Sequence, residues 1–406
     1  MYTSETIKIK KTPYIKYKGA INSQNNQFYL GYSLLCLEQY GALFTAQEIS
    51  HQPHLWRQLY KELSNKAEEW RPFLLEALAK PDLQIVLCGA GSSGFVGKTI
   101  APWLRQHSGL STYSYAVTDI VAAPKHYLDI NKPTLLVSYA RSGNSPESLG
   151  VIALADELLT EVYHLTFTCN SNGALACYTQ EKNHTCSLIM PDSSHDKGFA
   201  MTSSFSCMLL ATLLLFDNQN FSQLGYDIEE IATLVENAIP HWLNIIQPIV
   251  KQGFNRVLVL GSNCFTGIAE EGALKVLELT SGKVVTRFDS TLGVRHGPKL
   301  MIDEETLVVV MLSVDEYCRR YDIDLLNELG HEQKAKHIVA LSSLPLPQAI
   351  KFDCQLNDIW LMFPYLVFLQ LLAFESSLNY GISPDNPCPT GEVNRVVKGV
   401  QIYPYK

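Results

Sequence analysis

The sequence predicts an α/β protein built from two tandem domains, each a mostly parallel sheet flanked by helices, behind a helical N-terminal extension. Three observations predict it. Short apolar runs alternate with stretches of helical apolar spacing, the pattern of strands joined by covering helices. A loop rich in small residues, Gly89-Ala-Gly-Ser-Ser-Gly94, joins one such strand to one such helix. A similar strand and turn, the latter Gly261-Ser-Asn263, returns 172 residues later, so the chain reads as a duplicated unit.

Each element follows in order. Residues 1 to about 45 are polar and aromatic with no clear period and read as an extension that packs on something else. Thr45-Ala-Gln-Glu48 fits a capping box, and the spacing of Leu55, Leu59 and Leu63 predicts helix over 49–78. Residues 83–88 predict a strand, 89–94 its loop and 95–107 a helix. The unit recurs as a strand at 134–139, a loop at 140–145 and a helix at 146–159, Pro146 being favoured in a first helical turn. Runs at 163–168 and 186–190 complete the first copy; 256–260, 306–313 and 337–342 are strands of the second. These signals divide the chain into an extension (1–80), a first domain (81–220), a second domain (221–385) and a tail (386–406).

Composition removes several classes of function. With 406 residues, 47% hydrophobic side chains and a net charge of −8, the chain can build two or three full cores and is no disordered polyelectrolyte. Lys and Arg fall singly, so no basic face exists for nucleic acid. Ten cysteines occur without any C-x-x-C pair and read as buried, reduced thiols. Residues 1–19 lack the apolar core of a signal peptide. The most apolar run, 359–374, is interrupted by Pro364 and Gln370 and is too short to span a bilayer. It reads as a helix buried inside the protein or at a subunit contact. A cytoplasmic protein without membrane partners is expected.

Four segments carry chemistry. Gly89 to Gly94 matches G-x-G-x-x-G and is followed by Asp119 at the distance of a ribose-binding acid, a dinucleotide fingerprint when read alone. The plain alternative is a tight turn with no ligand. A P-loop is discounted, because Ser92 stands where its first glycine is required. Ser138-Tyr-Ala-Arg-Ser-Gly-Asn-Ser145 gathers hydroxyls and Arg141 before a helix N-terminus, which suits a monophosphate better, although Ser145 is also a natural N-cap. Glu271, Lys275 and Glu278 share one helical stripe, which on its own reads as a solvated face with one Glu-to-Lys pair. His296, between Arg295 and Gly297-Pro298, reads on its own as an ordinary loop histidine, the other reading being an imidazole fixed to titrate near an anion.

These residues resemble the SIS (sugar isomerase) domain proteins, including the isomerase half of glucosamine-6-phosphate synthase. The shared segments are Glu271-Gly-Ala-Leu-Lys-Val-Leu-Glu278, Arg295-His-Gly-Pro298, Ser142-Gly-Asn-Ser145 and Asn394-Arg-Val-Val-Lys-Gly-Val400. Over nearly the whole chain the sequence is similar to the AgaS-type group, the galactosamine-6-phosphate deaminase/isomerases or tagatose-6-phosphate ketose/aldose isomerases. That likeness runs through the segments at 138–148, 197–205, 289–299 and 383–395.

The resemblance implies that Ser142 and Ser145, with the turn at Ser92 and Ser93, hold a 6-phosphate and that Thr202 lines the sugar site. Glu278 matches the general base, His296 the ring-opening group, Lys275 the lysine one turn before the base, and Lys398 the lysine of the tail. Where the synthase has Ser-Gln, this chain has Ala140-Arg141, so Arg141 either shares the phosphate or points away. Neither a metal nor a cofactor is required. The expected reaction converts D-galactosamine 6-phosphate to D-tagatose 6-phosphate and ammonia. The other readings are plain aldose–ketose isomerisation, deamination of another hexosamine or fructosamine 6-phosphate, a non-catalytic sugar-phosphate sensor, and a nucleotide-dependent oxidoreductase. In the synthase the histidine enters a neighbour's site, which implies a homodimer or larger assembly with shared sites.

Overall fold

The computed structural model describes residues 27–180, 182–217, 221–347, 349–397 and 399–405. A two-stranded hairpin, Phe28–Tyr29 with Tyr32–Ser33, and a short helix, Leu34–Tyr40, lead into α1 (Leu43–Ser50), α2 (Gln52–Asn65) and α3 (Ala67–Leu78). Leu55, Leu59 and Leu63 are buried as their spacing predicts. The capping box does not form. The helix starts three residues earlier, with Ala42 at the N-cap, and both candidate cap residues face other segments: Thr45 Oγ1 donates to Asp385 (2.7 Å), and Glu48 accepts the backbone N–H of Gly198 (3.1 Å) and that of Lys197.

The strands that alternate with helices make two five-stranded sheets. The first contains β1 (Gln84–Gly89), β2 (Ser111–Ala116), β3 (Thr134–Ala140), β4 (Val162–Thr168) and β5 (Thr185–Ile189), in the order 2-1-3-4-5. The second contains β6 (Arg256–Gly261), β7 (Val285–Asp289), β8 (Thr306–Met311), β9 (His337–Ser342) and β10 (Ala349–Lys351), in the order 7-6-8-9-10. Every pairing is parallel and the two orders are the same. All of β1, β3 and β8 is buried, as parallel strands covered on both faces must be.

Helices α4 (Ser92–Ser108), α5 (Pro146–Leu158), α6 (Ser203–Phe216) and α7 (Phe221–Gln252) belong to the first half and the crossover. Helices α8 (Phe265–Leu279), α9 (Glu316–Glu332) and α10 (Asp358–Asn379) belong to the second. The halves meet where α4 crosses α8: a Cβ on Gly267 would lie 2.2 Å from Thr99 Oγ1, so only glycine lets the backbones approach this closely. Lys98 pairs with Glu270 at 2.5 Å beside it, and these two positions are one repeat, 172 residues, apart. Equivalent positions of two copies touch only at the axis that relates them, so a pseudo-twofold axis passes through this crossing.

Helix α10 is the one described helix long and apolar enough to cross a membrane, and it is entirely buried within the fold against α7 and α8. The expectation that it shares in a subunit contact is corrected by that burial. All ten cysteines are free thiols; Cys88, Cys169, Cys207, Cys264 and Cys354 are buried, whereas Cys177 is exposed.

Candidate active site

In the order 2-1-3-4-5 the chain leaves β1 for one side of the sheet and β3 for the other, so the loops after these neighbouring strands part and leave a crevice. Those loops are the two that the sequence singles out, at 89–94 and 140–145. Gly89 and Gly94 touch: a Cβ on Gly89 would sit 2.4 Å from Ser93 C, and one on Gly94 2.8 Å from Gly89 O. The turn itself thus requires these glycines. Asp119 lies in the first turn of the helix Val117–Ala122, after β2. Gly143 adopts φ 65°, the left-handed region that favours glycine, and lets the hydroxyl-rich turn fold back before α5.

The acid–base stripe reaches this crevice from the other half. Lys275, fully buried on α8, donates to Ser92 Oγ at 2.9 Å, a contact between residues 183 apart, and pairs with Glu278 at 2.5 Å. Glu271 is also fully buried, 3.4 Å from the Lys275 ammonium. Burial pushes the Glu271 carboxyl up to about 7, against the pull of Lys275. Burial presses the Lys275 ammonium down, and the two carboxylates more than reverse that, leaving it charged and above its ordinary range. Glu278 alone keeps 26% of its side chain accessible, at the open end of the stripe. A solvated helical face is therefore the wrong picture for 271–278. It is a buried carboxylate–ammonium–carboxylate row, exposed at one end.

The remaining predicted residues are placed as follows. Ser145 caps α5, accepting from Ser148 N at 3.4 Å and donating to Ser148 Oγ at 2.7 Å. Ser142 Oγ accepts from Asn144 N at 3.3 Å, and Ser93 Oγ lies 3.6 Å from the Met201 sulfur. The buried Arg141 donates to the carbonyls of Phe199 (3.1 Å) and Arg395 (2.8 Å), tying the tail to the loop before α6. Thr202 is buried, with its hydroxyl on Asp196 at 2.9 Å. His296 is exposed on the loop after β7, and Arg295 beside it is held by Glu328 at 2.9 Å. Lys398 lies outside the described residues; the tail is fastened before it by Arg395 on Gly198 O (3.1 Å) and after it by Tyr405 under Lys125.

Sequence reasoning missed three residues. Glu271 was visible in the stripe, but nothing local signals its burial. Asp196 gathers the N–H groups of Thr202 (3.0 Å), Ser203 (3.0 Å) and Ser204 (3.1 Å) together with their three hydroxyls, organising the N-terminus of α6; no motif marks it. Arg395 sits in a quoted segment without being singled out.

The arrangement has known relatives. The SIS domain model matches residues 77–217. A protein of Shewanella sp. (strain ANA-3) named D-galactosamine-6-phosphate deaminase AgaS is 45% identical over 372 residues, 91% of this chain and 94% of that protein. A crystal structure from Clostridium novyi NT aligns with a TM-score of 0.90 at 43% identity, over 94% of this chain and 100% of that one. The tagatose-6-phosphate ketose/aldose isomerase of Escherichia coli aligns with a TM-score of 0.83 at 37% identity, over 89% and 97%. Such identity across nearly all of both chains means that this chain belongs to the AgaS family of SIS-domain enzymes.

Proposed function

We propose that the chain converts D-galactosamine 6-phosphate to D-tagatose 6-phosphate and ammonia. The observation that carries this reading is the Ser92–Lys275–Glu278 row, which brings a carboxylate and a charged lysine from one half to the phosphate-type crevice of the other. The names of the similar proteins support the substrate class.

In this reading the turn at Ser92 and Ser93 and the loop with Ser142 and Ser145 hold the 6-phosphate at helix N-termini. Arg141 and Thr202 shape the wall behind them. His296 carries a proton between ring oxygen and O1, opening the sugar. Glu278 removes the C2 proton, made acidic by the C1 carbonyl, and returns it to C1 through an enolamine. Lys275 steadies the negative charge that develops on O1, and Lys398 of the tail stands in the same role. The resulting 2-imino ketose takes up water and loses ammonia. The exposed His296 is flanked by Leu292 (49% exposed) and Leu300 (92%), apolar surface that suits a second copy of the chain, so the sites are read as shared in a homodimer or larger assembly. Ten free thiols fit a reducing cytoplasm. Plain aldose–ketose isomerisation is the second reading, favoured by the name of the Escherichia coli structure.

The test is ammonia release from galactosamine 6-phosphate by wild type and Glu278→Gln. Loss of a general base lowers kcat by about 10³-fold with KM little changed. A wild type that binds the sugar without turnover, or a fully active Glu278→Gln, refutes the proposal. Interconversion of tagatose 6-phosphate with its aldose, without ammonia, selects the second reading.

A further inference from the structure

The loop that carries His296 has little regular structure, only the 3-10 turns Gly293–Arg295 and Pro298–Met301, yet it is anchored on both sides of the imidazole. Before the histidine, Arg295 donates through Nε to Glu328 Oε2 at 2.9 Å and through Nη1 to the Thr291 carbonyl at 2.8 Å. After it, Lys299 donates to the other Glu328 oxygen and to Glu332 Oε1, the latter at 2.6 Å. Thr291 is itself fixed to Asp322 at 2.8 Å, and Val294 is buried in the core of the second half. Helix α9 thus supplies Asp322, Glu328 and Glu332 to successive points of one loop. A single carboxylate, Glu328, grips with its two oxygens the residues on either side of the histidine.

Half-exposed ion pairs of this kind contribute little to stability. What they do here is geometric. The Lys299 ammonium, followed by Arg295, holds the Glu328 carboxyl below its usual range, which favours the charged form of the clamp. Reacting groups tolerate little misplacement, about 1 Å being enough to cost a hundredfold in rate.

We propose that Glu328 is a positioning residue for His296, setting where the imidazole meets the ring oxygen of the sugar. This inference rests on the reading of His296 as the ring-opening group. Glu328 touches no substrate and acts through Arg295 and Lys299.

The test compares wild type, Glu328→Gln, Glu328→Asp, His296→Ala and the Glu328→Gln/His296→Ala double variant. Two readouts are used: ammonia release from galactosamine 6-phosphate, and affinity for the acyclic 2-amino-2-deoxygalactitol 6-phosphate, which has no ring to open. Glu328→Gln is expected to lower kcat about tenfold and to leave the affinity for the acyclic compound within about twofold. Glu328→Asp recovers part of the rate, and the double variant is no slower than His296→Ala, because both changes act on one step. The inference is overturned if Glu328→Gln keeps the wild-type kcat, if its loss multiplies with that of His296→Ala, or if affinity for the acyclic compound falls in parallel. An active enzyme unimpaired by His296→Ala would instead refute the reading of His296 itself.

Discussion

The crevice at the carboxyl end of the first sheet and its counterpart in the second share a topology and differ in content. In the second, the donors at the crevice are already taken by the chain's own carboxylates. Asp322 accepts from Ser262 Oγ (3.1 Å) and Ser313 N (3.0 Å); Asp358 accepts from Ser313 Oγ and from Val314 N (2.7 Å). In the first, among the described residues, no carboxylate is bonded to Ser142 or Ser145, whose hydroxyls engage their own loop and the first turn of α5. One repeat away from Lys275 and Glu278, the first copy has Trp103 and Gln106. The difference teaches how a duplicated fold divides labour. One copy has filled its own crevice with internal carboxylates and carries the Glu271–Lys275–Glu278 row, to which the proposed acid–base chemistry is assigned, while the other leaves its loop hydroxyls without a carboxylate and has neither of the matching charged groups on the equivalent helix.

The contrast can be broken at its strongest point first. Lys275→Met removes the cation between the buried Glu271 and the half-buried Glu278, and stability should fall by about 3–5 kcal/mol at pH 8. The Glu271 carboxyl, already up at about 7 with its partner present, rises further without it. A carboxyl raised in the folded state burdens folding only above its unfolded pKa, so the deficit should shrink as pH falls toward that of an ordinary glutamate. Urea unfolding across that range checks the sign, and ammonia release should be lost at every pH. A variant as stable as wild type at pH 8 would mean that the row is not closed to water.

Next comes the filled crevice. Asp322→Ala leaves the N–H of Ser313 and one of the mutually bonded Ser262 and Thr291 hydroxyls without an acceptor, which should cost about 2–3 kcal/mol. The same unfolding measurement reads it, and an unchanged midpoint would show that water replaces the carboxylate at no cost. The smallest effect belongs to the open crevice. Ser142→Ala removes a hydroxyl bonded only within its loop, so the unfolding midpoint should barely move while KM for the sugar phosphate rises roughly tenfold, the loss of one hydrogen bond to a charged group. Equal loss of stability at Ser142 and Asp322 would erase the distinction between the halves.

Much of this was legible in the chain. Most strands were visible because apolar runs bounded by small residues fit parallel sheets, whereas the half-exposed edge strands β7 and β10 carry no such run and were missed; the turns were visible because Gly89, Gly94 and Gly143 mark places where backbone approaches backbone or φ turns positive. The capping box was misread because Thr45 and Glu48 have the right spacing while their partners, Asp385 and the 197–198 backbone, lie far along the chain. Arg141 shows the same limit. Its place in a donor-rich loop is apparent from sequence, whereas the carbonyls of Phe199 and Arg395 that hold its guanidinium are 58 and 254 residues away.

By itself, then, the sequence determined the repeating strand–loop–helix order and the glycine turns, because these depend on side-chain periodicity and local backbone freedom, whereas the roles proposed for Glu278, Lys275 and His296 come from a family resemblance. Tertiary structure alone decided that the 271–278 stripe is buried and that Lys275 stays charged there, that Thr202 turns its hydroxyl to Asp196, and that the loop of His296 is clamped by α9. The physical reason is that periodicity reports how many polar groups an element carries and on which face. The fate of a charge depends on which distant countercharges and hydroxyls packing brings within a few ångströms of it.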